Sequence, residues 1–149
     1  MDAEHEIVVR VTSDASWLPP GGRAEVVQRE VPPSPMSMVR LLLRRGDEVF
    51  CVPRAGTRKL DLPTRLTAAN DLDGSVEIRA LAAEVAGLGA DLAFVGAVRN
   101  VVERPVDDYP WPTPRAHFGV WASPDAPIID GTWVDLATLT ERHWHPLAG

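Results

Sequence analysis

The chain contains one cysteine, one lysine and no apolar run long enough to cross a membrane. A lone cysteine, Cys51, excludes an internal disulfide framework and a cysteine-rich metal site. Set in an apolar run, it reads as an inert core thiol. No segment reaches the roughly 20 apolar residues needed to span a bilayer, and the acidic start MDAEHEI lacks the apolar core of a signal peptide. Positive charge is also scarce: 15 Lys plus Arg against 21 Asp plus Glu leave a net charge of −6. A binder of nucleic acid or of an anionic membrane would carry a basic surface, so neither is expected as a partner, and a cytoplasmic location is expected. Metal-ligand spacings are missing too. His117 has no second histidine or cysteine near it, and His143-Trp144-His145 has no acid positioned beside it, so neither suggests zinc. Lys59 is the sole lysine while alanine, arginine and proline abound, a bias of coding rather than of chemistry.

What is present describes one domain. At 149 residues, 45% hydrophobic and 24% charged, the composition is that of an ordinary globular protein that buries roughly 70% of its unfolded surface. The organising stretch is residues 58–88, which reads as strand, irregular loop and one amphipathic helix. Ser75 is the expected N-cap. Ile78, Leu81, Val85 and Leu88 recur at helical spacing and draw one apolar stripe. Ala80, Ala82, Ala83 and Ala86 add helix propensity, and Gly87 suits a left-handed terminus. Glu77 and Glu84 lie two turns apart on the same edge of that stripe. The helix dipole accounts for an acid in the first turn at Glu77, but it disfavours one near the C-terminal end at Glu84.

Around this centre the pattern is mostly β. Residues 6–12 and 24–31 read as strands, joined by the turn-rich Trp17-Leu18-Pro19-Pro20-Gly21-Gly22. Residues 36–45 and 48–54 form a hairpin closed by Gly46-Asp47. Arg40, Arg44, Arg45, Arg54, Arg58 and Lys59 cluster along it, enough to attract phosphate locally or merely to guard a sheet edge. Residues 91–103 are one bent strand or two short ones, with Gly96 at the bend. Residues 104–115 form a proline-stiffened loop that presents Tyr109 and Trp111, either to stack a base or to cover the core. Residues 116–123 and 132–134 are further strands, and Asp135 is placed to cap a closing helix over residues 136–143.

The order hairpin, loop, helix ending in Gly-Leu, long strands and closing helix resembles the Nudix superfamily, whose signature is G-x5-E-x7-R-E-U-x-E-E-x-G-U with U a bulky apolar residue. Anchored on Gly87 and Leu88, Glu84 matches the first glutamate of the E-E pair. Val85 stands where the second belongs, Leu81 and Ala80 replace the glutamate and arginine of R-E, and Leu72 and Leu66 replace the upstream glutamate and glycine. Pro63 is close to the proline that usually precedes that glycine. The resemblance implies an α/β fold, a Nudix-like α/β/α sandwich with a mixed β-sheet, one main helix after an irregular loop and a C-terminal helix. It spans residues 36–149, with residues 1–35 as an N-terminal extension.

Two functions from different classes are consistent with this pattern. The resemblance implies a hydrolase that cleaves a nucleoside diphosphate linked to another moiety, using Mg²⁺ or Mn²⁺ held by helix glutamates. Glu84 is then the matched catalytic and metal-binding residue, and Glu77 is added as a metal ligand from helical geometry. Arg54, Arg58, Tyr109 and Trp111 are the candidate contacts to a small nucleotide derivative. Glu77 and Glu84 lie about 10 Å apart along the helix, so Asp71, Asp73 or Glu103 would have to join them to hold an ion. The alternative is a non-catalytic ligand-binding or protein-interaction module that has lost the metal site and needs no cofactor, motivated by Leu81 and Val85. Homodimerisation is left open.

Overall fold

Apolar residues alternate along most of the chain, and that period builds one sheet. The computed structural model describes residues 5–149. Its nine strands are β1 (Ile7–Ser13), β2 (Arg23–Gln28), β3 (Met36–Arg45), β4 (Glu48–Pro53), β5 (Leu60–Asp61), β6 (Thr64–Leu66), β7 (Ala93–Val101), β8 (Arg115–Ser123) and β9 (Thr132–Asp135). They run in the order β1-β2-β7-β8-β3-β4-β5, with β6 beside β3 and β9 beside β4. The sheet is mixed, because β3 and β8 pair in parallel while the other neighbours are antiparallel. The first two strands continue this sheet past β7. Arg99 on β7 ties them down through Glu6 at 2.7 Å and Glu25 at 2.7 Å.

The expected α-helix forms as α1 (Ser75–Ala86). Ile78, Leu81, Ala82 and Val85 are buried against Val39, Leu41, Leu43, Phe50 and Trp121, each large aliphatic worth roughly 1.5–3 kcal/mol of transfer free energy. Two details differ from expectation. Leu88 is 93% exposed and falls outside the stripe, because Gly87 (φ 100°, ψ 159°) turns the chain away in a positive-φ conformation open to glycine but outside the left-handed helical region. Ser75 is the first helical residue rather than the cap. The orphan amides are met from upstream instead: Asp71 accepts from Val76 N and Glu77 N, and Asp73 accepts from Ser75 N. Gly74 packs so closely on β3 that a Cβ there would lie 2.8 Å from Val39 Cγ1.

The expected C-terminal helix is not formed. Asp135 does cap, accepting from Ala137 N at 3.0 Å, but it opens only one 3-10 turn, Leu136–Thr138, with a second at His145–Ala148. Thr138 Oγ1 donates back to the Asp135 carbonyl at 2.7 Å. Such side-chain bonds compete with the helix ladder, and Pro146 has no amide to extend one. Among the described residues the fold is therefore mixed α/β with a single α-helix, α1, on one face. The other face is covered by the C-terminal segment, where Leu139, Trp144 and Leu147 pack on Leu42, Val98 and Phe118. Among the described residues no helix is long and apolar enough to cross a membrane.

One departure from regular pairing shapes the sheet's two faces. β3 and β4 pair only beside their two-residue turn, at Arg44↔Val49 and Arg45↔Glu48. Beyond it the strands part. β6 takes over beside β3 at Met38↔Leu66, Val39↔Arg65 and Arg40↔Thr64, while β4 pairs with β9 and β5.

Candidate functional site

Strand alternation sends neighbouring side chains to opposite faces. Arg65, opposite Val39, therefore points toward α1, whereas Arg40 and Thr64 point away from it. On the helix side Arg65 reaches both acids at once. Its Nε donates to Glu77 Oε2 at 2.7 Å and a terminal nitrogen donates to Glu84 Oε1 at 2.9 Å. The Glu77 side chain is 19% exposed and that of Glu84 57%. The two candidate ligands are thus brought together, by a guanidinium that lies between them.

A divalent ion does not fit this donor set. Mg²⁺ requires near-octahedral oxygen ligands at about 2.0–2.1 Å, and here the two carboxylates already share one cation. Leu81, between them on the helix, and Val85, next after Glu84, are 3% and 1% exposed. The carboxylates that might have joined are committed elsewhere: Asp71 and Asp73 cap α1, and Glu103 lies near Arg23, at 3.9 Å. Among the described residues no group of three or more His, Cys, Asp or Glu side chains comes together to hold a metal.

The six cations of the hairpin do not form one field. Arg44 donates to the Ala148 carbonyl, and Arg45 pairs with Glu48 and stacks 4.3 Å from the Trp133 ring centroid. Arg58 is exposed at a turn with φ 61°. Arg40 and Arg54, by contrast, meet where β3 and β4 part, at a cavity of about 560 Å³ walled by Met38, Val52 and Leu62. Asp61 lies in its lining and accepts from three donors: Arg54, Leu62 N at 2.8 Å and Trp144 Nε1 at 2.8 Å. Burial works to raise the Asp61 carboxyl, but the hydrogen bonds from Arg54 and Trp144 hold it below the ordinary range. His143 lines the same cavity and stacks on Trp17 at 4.3 Å between centroids. Burial, then Arg40 and Arg54, push its pKa down, which favours the neutral imidazole.

Trp111 sits apart from this cavity. It meets Phe118 edge to face at 5.1 Å and walls a separate space of about 350 Å³ with Leu66, Ala69 and Leu72. Tyr109 is half-buried on the same loop, and burial raises its phenol pKa. The sequence-based candidates therefore fall in three places: Glu77 and Glu84 on the α1 flank, Arg54 beside the cavity, and Trp111 and Tyr109 on their loop, with Arg58 outside all three.

Two participants escaped sequence reading. Arg65 lies 12 and 19 residues from its partners, and the signal was there: two same-edge acids with no cation three or four residues away on their own helix. Asp61 gave none. No protein-family model matches the chain, and no curated protein is significantly similar to it.

Proposed function

We propose that the chain is a Nudix-shaped ligand-binding module in which an internal ion pair has replaced the metal site. The Nudix likeness rests on the order of hairpin, irregular loop, helix and mixed sheet. The non-catalytic reading rests on Arg65. A metal centre keeps several carboxylates uncompensated until the ion arrives, whereas Glu77 and Glu84 converge on a guanidinium supplied by their own chain. The aliphatic residues Leu81 and Val85 at the signature's other acidic positions add to the same reading, since both serve the core.

The test is turnover. The protein is incubated with Mg²⁺ or Mn²⁺ and a panel of nucleotide sugars, dinucleoside polyphosphates, ADP-ribose and nucleoside triphosphates. No metal-dependent cleavage above the rate seen with Glu84→Gln is expected. Metal-dependent cleavage that collapses in Glu84→Gln would restore the hydrolase reading, with Glu84 as its ligand.

A further inference from the structure

We infer that the cavity between the parted strands β3 and β4, on the sheet face opposite α1, is a binding site for the phosphoryl group of a small phosphorylated molecule. The inference rests on reading the chain as a ligand-binding module, and it supplies that module's ligand class.

Its basis is an imbalance of charge and of hydrogen bonding. Three guanidiniums, Arg40, Arg54 and Arg142, surround the one carboxylate of Asp61. That carboxylate already takes donors on both oxygens, two on Oδ1 and one on Oδ2. Arg54 is engaged by it, and Arg142 is directed to the Leu60 carbonyl at 2.8 Å. Arg40 is left over. Its Nε, like that of Arg142, is buried and has no hydrogen-bond partner among the described residues, and unlike Arg142 it lines the cavity. A buried charged donor without an acceptor is costly, and a ligand oxygen accepting from the terminal nitrogens of the same guanidinium, which lines the cavity, would offset that cost. Guanidinium geometry suits tetrahedral oxyanions, which accept from it in a two-pronged fashion.

Charge selects among oxyanions. Two guanidiniums of the cavity lining, Arg40 and Arg54, face the one carboxylate of Asp61, and Arg142 stands 3.9 Å from that carboxylate, so the site keeps a net positive charge that suits a phosphate monoester dianion better than a carboxylate. The neutral state favoured for His143 adds no further charge. Thr64 Oγ1 donates to the Leu62 carbonyl at 2.8 Å, which leaves its lone pairs rather than its proton facing the cavity. A volume of about 560 Å³ lies within the range of small-molecule sites, so there is room for more than the phosphoryl group. Met38, Val52 and Leu62 offer apolar walls to the remainder, and the His143–Trp17 stack ends one side with a flat surface.

Inorganic phosphate is the probe, followed by ³¹P line broadening and by thermal shift, with sodium acetate and sodium chloride at matched ionic strength. Saturable phosphate binding is expected, at least tenfold weaker in Arg40→Met and unchanged in Glu84→Gln. In wild-type protein, whose folding is not in question, one buried arginine Nε–Hε resonance should shift with the same saturation while exposed arginines stay still. Equal responses to phosphate and chloride, or no shifting arginine resonance, would overturn the site. Acetate binding as tightly as phosphate would overturn its assignment to a phosphoryl group. These failures are separable from failure of the module reading. Metal-dependent turnover lost in Glu84→Gln would sink that reading while leaving the phosphate affinity of the Arg40 cavity as it is.

Discussion

His117 lies on β8 with 2% of its surface exposed, and its Nδ1 stands 3.0 Å from the Pro35 carbonyl. A carbonyl only accepts, so Nδ1 carries the proton, and Nε2 is buried without a partner among the described residues. Burial pushes this pKa down to about 4. In the unfolded chain it returns to about 6.5. Between those values the unfolded state binds a proton that the folded state does not, so stability falls as pH is lowered from about 6.5 to about 4 and the effect levels off at lower pH. The loss is on the order of 3 kcal/mol. Denaturant melts across that window should show it, and His117→Gln should flatten the slope. An unchanged slope would mean that the ring is solvated. At the same scale, Cys51 is fully buried and burial pushes its thiol up to about 11, in keeping with the inert core thiol read from its apolar setting.

Among the elements, α1 is the one whose orientation everything else uses. Leu81→Ala should destabilise the fold by about 2–5 kcal/mol, measured by denaturant melts, since Leu81 is buried beside Val39 and Trp121. A loss below about 1 kcal/mol would place that side chain in solvent and rotate Glu77 and Glu84 away from Arg65. This helix was legible because its apolar residues recur at helical spacing, and the hairpin because Gly46-Asp47 separates two runs of β-branched and aliphatic residues. Gly96 was legible as a bend: the β7–β8 register slips between Phe94 and Gly96, where a Cβ on Gly96 would meet the Val27 carbonyl oxygen at 2.3 Å. The C-terminal segment differs from expectation because Asp135 and the residues after it suit a helix start, while Thr138 donates to the Asp135 carbonyl and so competes with the helix ladder. The parting of β3 and β4 was not legible at all. It depends on which strand pairs with β3 beyond the turn, a long-range choice between β4 and β6 that no local pattern encodes.

For the whole molecule, one sheet separates two kinds of electrostatic site. On the α1 face an arginine from β6 pairs with two helix carboxylates, and on the opposite face the buried Nε of Arg40 on β3 lacks a partner among the described residues. Alternation along adjoining strands produces both, since Val39↔Arg65 and Arg40↔Thr64 are consecutive pairs of one ladder. Arg65 thus stands between Glu77 and Glu84, and the proposed function depends on that ion pair. Its sharpest test is titration of Mn²⁺ into wild-type protein and into Arg65→Ala, followed by electron paramagnetic resonance of the free ion. Arg65→Ala should cost less than about 1 kcal/mol of stability, as expected for partly exposed ion pairs. Wild type should leave Mn²⁺ free into the millimolar range, while Arg65→Ala, with its carboxylates released, should bind it measurably. Mn²⁺ binding by wild type that disappears in Glu84→Gln would contradict the assignment of Arg65 as the metal's replacement.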